Sequence, residues 1–313
     1  LGLAFDMSAE VAAAAASLAS GRLVLMPTET VYGLAADATN PGAVAGIFAA
    51  KGRPRFNPLI AHVADLEAAT RLADLDDRAL ALAAAFWPGP LTLVARYRPA
   101  AGVSDLARAG LDTIAVRVPA HPVALDLLRA FEGPVVAPSA NRSGRPSPTS
   151  LEAARSETGA AAAIALEGGT CRVGLESTVV ALLDGPPRLL RPGAVTRAEI
   201  EAVIGPLAEA NSEGHRAPGR LTRHYAPAAP VRLQALEARP GEAFLAFGEA
   251  PAATQVFNLS PGRDLNEAAA NLFAMMRAAD ALAPTAIAVA PIPGSGLGEA
   301  INDRLIRAAG HVG

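Results

Sequence analysis

The chain has one cysteine, Cys171, in 313 residues, which excludes an internal disulfide and fits a reducing compartment. Although 51% of the residues are hydrophobic, no apolar run is long enough to cross a bilayer without a charge, glycine or proline interrupting it. No Cys/His grouping has the spacing of a zinc site. No G-x-x-x-x-G-K-[ST] phosphate cradle occurs either, so any nucleotide must be held by cations from scattered places. A basic excess is also missing. With 27 Lys and Arg against 30 Asp and Glu, the formal net charge is -3, which argues against a surface built mainly for nucleic-acid phosphates but leaves room for a local basic groove. The Ala-rich run Val11 to Leu18 is not read as a signal peptide, because Asp6 and Glu10 stand where a basic start belongs. These features together predict a cytoplasmic globular protein with no membrane segment. The chain begins with Leu1 rather than Met, which fits a missing native start.

What the chain does have is concentrated between Pro27 and Val63. Leu23, Val24, Leu25 and Met26 form an apolar run that Pro27 ends, and the pattern from there reads as strand, loop, helix, loop, strand. Asn40 followed by Pro41 is a helix start. Val44, Ile47 and Phe48 share one face of that helix, and Gly52 suits a left-handed position just past its end, so the helix should stop at Lys51. Lys51, Arg53 and Arg55 then share a loop that Gly52 and Pro54 make unhelical, followed by Asn57-Pro58 and His62. Such a loop can hold an anion; equally, Lys51 can complement the helix dipole while the arginines are solvated. Ahead of the helix, Thr28-Glu29-Thr30-Val31-Tyr32-Gly33 gathers hydroxyls, a carboxylate and a phenol at a strand end, where open α/β sheets bind ligands. The plainer alternative is a polar turn bonded to its own backbone.

Further along, Leu66 to Leu72, Asp77 to Phe86 and His121 to Phe131 read as helices, and Leu91 to Tyr97 as a strand, with Trp87 a packing residue at the turn. Thr113 to Val118 alternates, so Thr113, Ala115 and Arg117 share one face. A short buried strand, Gly133 to Pro138, leads into Ser139-Ala140-Asn141. Ala161 to Leu166 and Glu176 to Leu183 are further strands, and Ser177 and Arg191 can be an ordinary hairpin pair. Thr196 to Ile204 is a helix. Gly205 to Pro230 has no period, and a loop that long is usually a linker or a lid; it carries Arg220, Arg223, His224 and Tyr225. From Val231 onward the pattern is strands at Ala243 to Phe247, Gln255 to Leu259 and Thr285 to Ala290, with helices at Asn266 to Leu282 and Leu297 to Ala309. Gly294-Ser295-Gly296-Leu297-Gly298 is read as a turn, because too few residues follow it for a dinucleotide site.

The runs Pro27-Thr28-Glu29-Thr30-Val31-Tyr32-Gly33-Leu34, Lys51-Gly52-Arg53-Pro54 and Ser139-Ala140-Asn141 resemble the YrdC-like family, the threonylcarbamoyl-AMP synthases. Pro218 to Pro227, with His224-Tyr225-Ala226-Pro227 at its end, is similar to that family's linker, although Leu221 and Thr222 stand where aromatic or basic residues are commoner. The last third resembles the extra domain of the long, two-domain form. The resemblance implies an α/β fold: a twisted open mixed sheet with helices over 1–205, a linker or lid over 206–230, and a small Rossmann-like α/β domain over 231–313. It also implies a reaction. L-threonine and bicarbonate give a carbamate whose oxygen attacks the α-phosphorus of ATP, releasing pyrophosphate and forming threonylcarbamoyl-AMP for N6-threonylcarbamoyladenosine at tRNA position 37.

Carried onto matching residues, the resemblance gives Lys51 and Arg53 the neutralisation of phosphates and carbamate. Arg53, Asn57, Thr113, Asn141, Thr149, Arg191 and Tyr225 would contact ATP. Thr30, His62, Arg117, Ser139 and Ser177 would hold threonine, with Arg117 on its carboxylate. Magnesium would arrive with the nucleotide; no protein metal ligand is evident. The product would pass to a tRNA-modifying transferase complex. Two like charges about 4 Å apart repel by roughly 4 kcal/mol at an effective dielectric near 20. Charged hydrogen bonds of ~1.5–3 kcal/mol each can offset this, so positioning and neutralisation should carry the rate. A competing reading is an RNA-binding module with a basic concave surface and no turnover. Carbamoyl transfer of the hydrogenase-maturation kind is disfavoured, since the further domains of those proteins are absent.

Overall fold

The four apolar residues Leu23–Met26 form a strand buried along its whole length. In the computed structural model, which describes residues 7–209, 224–250 and 255–310, the chain then returns beside this strand as Gly33–Asp37. The two are antiparallel, pairing Val24 with Ala35 and Met26 with Gly33. Here the structure corrects the expected loop between Met26 and the helix. Gly-Leu-Ala-Ala-Asp is covered on both faces, so it shows none of the alternation that marks a half-exposed strand. The following helix is Pro41–Lys51 as expected. The Asn40 side chain accepts from the amides of Gly42 and Ala43, and Gly52 closes the helix at φ 59 with open space where a Cβ would be.

These strands belong to an eleven-stranded mixed sheet. From one edge its order is Ala208–Glu209, Arg188–Arg191, Thr178–Ala181, Leu91–Tyr97, Thr113–Arg117, Ile60–His62, Val135–Val136, Gly33–Asp37, Leu23–Met26 and Ala162–Ala165, with Ala73–Asp74 branching from Leu91–Tyr97. Helices cover both faces. Val24 and Met26 pack with Val11, Leu18, Leu127 and Leu128 on one side. Leu23 and Leu25 pack with Val44, Ile47 and Phe48 on the other. Each such side chain contributes about 1.5–3 kcal/mol on burial, and this two-sided core holds the sheet's loop ends in place. Ile60–His62 and Thr113–Arg117 run parallel in a register that sets His62 beside Arg117, both at the last position of their strands.

A second sheet has four parallel strands in the order Val231–Arg232, Ile287–Val289, Ala243–Ala246 and Val256–Asn258. The helices Leu265–Ala281 and Leu297–Ala308 pack their apolar faces on it. The two units meet through charge. Arg277 donates to Glu157 at 2.9 Å, Arg197 to Glu299 at 3.0 Å, and Arg304 to Glu176 at 3.0 Å. Asp280 on the Leu265–Ala281 helix accepts from the amides of Ala228 and Ala229, fixing the chain segment that enters the second unit. The stretch from Pro218 to Arg223, including Arg220, lies outside the described residues; description resumes at His224.

Candidate active-site cleft

One cleft is lined by Thr30, Arg53, His62, Arg117, Ser139, Glu176, Ser177, Arg191, His224 and Tyr225, together with an apolar floor that includes Val31 and Ile60. These residues come from segments far apart in sequence, and each arrives for a local reason. His62 and Arg117 stand at neighbouring strand ends. Thr30 sits in a turn that Thr28 organises, the Thr28 hydroxyl donating to the Val31 carbonyl at 2.6 Å and accepting from the Thr30 and Val31 amides. Ser177 and Arg191 flank a hairpin, and the Arg191 guanidinium donates to the Ser177 carbonyl at 2.8 and 3.0 Å and to its hydroxyl at 3.1 Å. That grip needs Gly193, where a Cβ would meet the Thr178 amide nitrogen at 2.4 Å. The pair is thus bonded across its hairpin, and both residues line the cleft.

Arg117 is fully enclosed. It donates to the Gly89 carbonyl at 3.1 Å, to the Thr30 hydroxyl at 3.0 Å and to Glu29 at 2.5 Å, and Glu29 in turn accepts from the Ala120 amide. Among the described residues three of its five N–H donors are thus used, which leaves two able to meet a ligand carboxylate. Arg53 reaches the cleft after donating to the Asn57 and Pro58 carbonyls at 3.3 and 3.1 Å. Lys51 takes a different position from the one expected. It does not line the cleft; its ammonium donates to the carbonyls of Ser139 and Asn141, and Ser143 returns a bond to its own carbonyl at 2.7 Å. The Lys51 charge therefore holds the Ser-Ala-Asn turn from beneath.

Burial sets the electrostatics. Desolvation lowers Arg53 to about 10, still charged at neutral pH, with nearby Arg191 adding to the effect. Burial likewise lowers Arg191, and together with Arg53 it holds Lys51 well below the ordinary lysine range. Cations held against their own solvation and against each other form a site that an anion stabilises. Several buried polar atoms in this region have no hydrogen-bond partner among the described residues: Asn57 Oδ1, Asn141 Oδ1, His62 Nδ1, His224 Nδ1 and the Tyr225 hydroxyl. Orphans of this kind are uncommon in folded proteins, and these fit the hydrogen-bonding groups of a polar ligand. Among the described residues no group of three or more His, Cys, Asp or Glu has the arrangement of a metal site.

The two histidines also predict how stability depends on pH. Burial, then Arg117, lowers His62 to about 3, and burial with Arg53 and Lys51 holds His224 well below the usual value. Both stay neutral in the folded chain, while in the unfolded chain they gain protons below about pH 6.5. The unfolded state then binds more protons, so stability is complete above that pH and falls as pH drops toward 3. Each histidine removes roughly 1.4 kcal/mol per pH unit. Chemical denaturation between pH 7.5 and 5 should show this slope, and His62→Asn should reduce it; an unchanged slope would refute the assignment.

Of the side chains expected at the site, Thr30, Arg53, His62, Arg117, Ser139, Ser177, Arg191 and Tyr225 line one cleft. Asn57, Asn141 and Thr149 are buried outside that lining. Thr113 shares the Arg117 face but lies four residues back, roughly 13 Å along the strand, and does not line the cleft either. The sequence marks Glu29 and His224 only as members of polar stretches, without individual roles, and gives no sign of Glu176. All three adjoin residues that it does single out. For Arg304 the signal was its phase, since an arginine shares the buried stripe of Ala300, Ile301, Leu305 and Ala308.

Comparison with known proteins matches the chain in two parts. Residues 16–193 match the family model Sua5_yciO_yrdC, described as "Telomere recombination", and residues 195–310 match "Threonylcarbamoyl-AMP synthase, C-terminal domain". The threonylcarbamoyl-AMP synthase of Pyrococcus abyssi is 41% identical over 95% of this chain and 93% of its own length. That of Bacillus subtilis is 40% identical over 96% and 93%. The crystal structure of P. abyssi Sua5 complexed with L-threonine superposes with a TM-score of 0.90 at 39% identity, covering 97% of this chain and 95% of that one.

Proposed function

The chain belongs to the Sua5/YrdC family in its long form, with the C-terminal domain of threonylcarbamoyl-AMP synthases, and from this premise we propose that it is a nucleotidyltransferase making threonylcarbamoyl-AMP and pyrophosphate from L-threonine, bicarbonate and ATP. The observation that carries this reading is the shared cleft: hydroxyls, a neutral histidine and Arg117 line it together with Arg53, Arg191 and Tyr225. A zwitterionic amino acid suits the first group and a polyphosphate the second.

In the proposed reaction the two unused N–H donors of Arg117 take the threonine carboxylate, and Thr30, Ser139 and Ser177 orient its polar groups. The ammonium of threonine first gives up a proton to solvent, and the free amine nitrogen then bonds to the carbon of bicarbonate with loss of water, giving the carbamate. A carbamate oxygen attacks the α-phosphorus, the bond to the bridging oxygen of the β-phosphate breaks, and pyrophosphate leaves. His62 is neutral and is given no proton to carry. Arg53 and Arg191 offset the meeting of two oxyanions, which is electrostatic work in a site that needs no reorganisation at the moment of reaction. Asn57, Asn141 and the Tyr225 hydroxyl offer unpartnered atoms to the nucleotide; Thr113 and Thr149 join them where it extends over the sheet face and its border. Magnesium would travel with the phosphates. Lys51 acts on the reaction through the turn it holds.

Residues 206–230 are proposed as a lid closing the cleft through His224 and Tyr225, and 231–313 as the domain that carries it. The product would serve N6-threonylcarbamoyladenosine formation through a tRNA-modifying transferase complex, in the cytoplasm. Among the described residues no helix is long and apolar enough to cross a membrane. Purified protein given ATP, L-threonine and bicarbonate without RNA should release pyrophosphate only when all three are present. Salt-sensitive RNA binding with no pyrophosphate release would replace this reading with an RNA-binding module.

A further inference from the structure

Among the described residues lining the cleft, Glu176 is the one carboxylate, in a site otherwise set with arginines. Left alone, its charge would oppose a polyphosphate. It is not left alone. One oxygen accepts from the Ser147 hydroxyl, and the other accepts from Arg304 Nε at 3.0 Å. Arg304 comes from the second sheet unit, on the helix Leu297–Ala308, and is fully buried there. Its remaining contacts also reach the cleft. Nη1 donates to the Pro192 carbonyl at 2.8 Å, next to Arg191, and the guanidinium carbon lies 5.3 Å from the centroid of the Tyr225 ring. Nη1 also donates to Asp303 at 2.8 Å, but Asp303 has its own partner in Arg307 at 2.9 Å. Arg304 thus meets two carboxylates, Glu176 and Asp303, the second of them shared with Arg307.

A buried ion pair is weak evidence of stabilisation, because apolar residues of similar volume often do as well. An arginine within an apolar stripe, reaching across to a carboxylate on the cleft wall, has a more specific consequence. We propose that Arg304 is a positioning residue of the cleft, which screens Glu176 and holds the hairpin bearing Ser177 and Arg191, so that docking of the second unit sets the affinity for polyphosphate. The proposal rests on reading the cleft as a polyphosphate site. It assigns the second unit a share in that site: without Arg304, the cleft wall would present an unscreened negative charge.

The test uses the full chain with inorganic tripolyphosphate and ATP as probes, measured by calorimetry, alongside L-threonine binding and thermal unfolding. Arg304→Met should weaken both polyphosphates by on the order of tenfold or more, since one unscreened charge at close range is of that size. Threonine, which carries no net charge, should be much less affected. Adding Glu176→Gln to Arg304→Met should recover most of the loss, and Arg304→Lys should retain most of the affinity. Glu176→Gln alone leaves Arg304 in excess and should tighten tripolyphosphate several-fold, so the proposal stays testable even if Arg304→Met does not fold. Unchanged polyphosphate affinity in Arg304→Met overturns it. So does a folded double variant as weak as the single one, which would mark a brace and nothing more, or an unmoved Glu176→Gln. Pyrophosphate release by the unaltered chain is scored separately; its failure would remove the reaction while leaving the comparison of anion affinities readable.

Discussion

Replacing Arg53 by Ala lowers kcat/KM for ATP by on the order of 10²–10³-fold, the size expected when one preorganised donor to developing negative charge is lost, and leaves the fold intact. Arg53 lies at a loop, and its hydrogen bonds run to the carbonyls of Asn57 and Pro58. These local bonds shape the loop without anchoring the core. Lys51→Met behaves differently, although the two residues are adjacent in the motif. Its ammonium spends two of its three donors on the Ser-Ala-Asn turn, so the substitution leaves the carbonyls of Ser139 and Asn141 short of a donor. Each such loss costs about 1–3 kcal/mol. Activity and stability should therefore fall together for Lys51, and activity alone for Arg53. Steady-state pyrophosphate release and urea unfolding on both variants decide it. A stable Lys51→Met or an active Arg53→Ala would break the division of roles.

That difference marks where the sequence could be read and where it could not. The Lys51-Gly52-Arg53 loop was legible because a helix stop and a cluster of cations are local facts, and Gly52 adopts the left-handed conformation that its position demanded. Which cation faces the ligand depends on what else approaches the loop. The Ser139–Asn141 turn arrives from nearly ninety residues away, and only the folded sheet shows that it takes Lys51 and leaves Arg53 to the cleft. Gly33–Asp37 escaped for a related reason, since a short strand of small residues covered on both faces has no period to detect. Arg117 and His62 were readable as strand residues, but their adjacency comes from parallel register. The Arg117 to Glu29 pair joins residues whose separation no spacing rule spans.

Tyr225 permits a sharper experiment, because its ring and its hydroxyl can be separated. The residue adopts φ 62, a left-handed conformation that costs a non-glycine residue about 1–2 kcal/mol. Its surroundings enforce it: Phe273 lies 5.5 Å away, the His224 ring meets it edge-on at 4.0 Å, and Ala226 is tied to the Gly144 carbonyl at 2.7 Å. The hydroxyl, by contrast, is buried without a partner among the described residues. Removing an unsatisfied group is neutral or stabilising for the free protein, so Tyr225→Phe should unfold at the same denaturant concentration or a higher one. If the hydroxyl meets the nucleotide, the same variant should bind ATP about 5- to 30-fold more weakly, the equivalent of roughly 1–2 kcal/mol. Tyr225→Ala removes the ring as well, and with it a wall of the cleft and the packing on Phe273. It should cost about 3–5 kcal/mol of stability and reduce ATP retention by on the order of 100-fold or more. Equilibrium unfolding and ATP dissociation rates on both variants separate the contributions. A Phe variant that holds ATP as tightly as its parent would remove the hydroxyl from the nucleotide site. An Ala variant with an unchanged ATP dissociation rate would show that this segment does not close over the cleft.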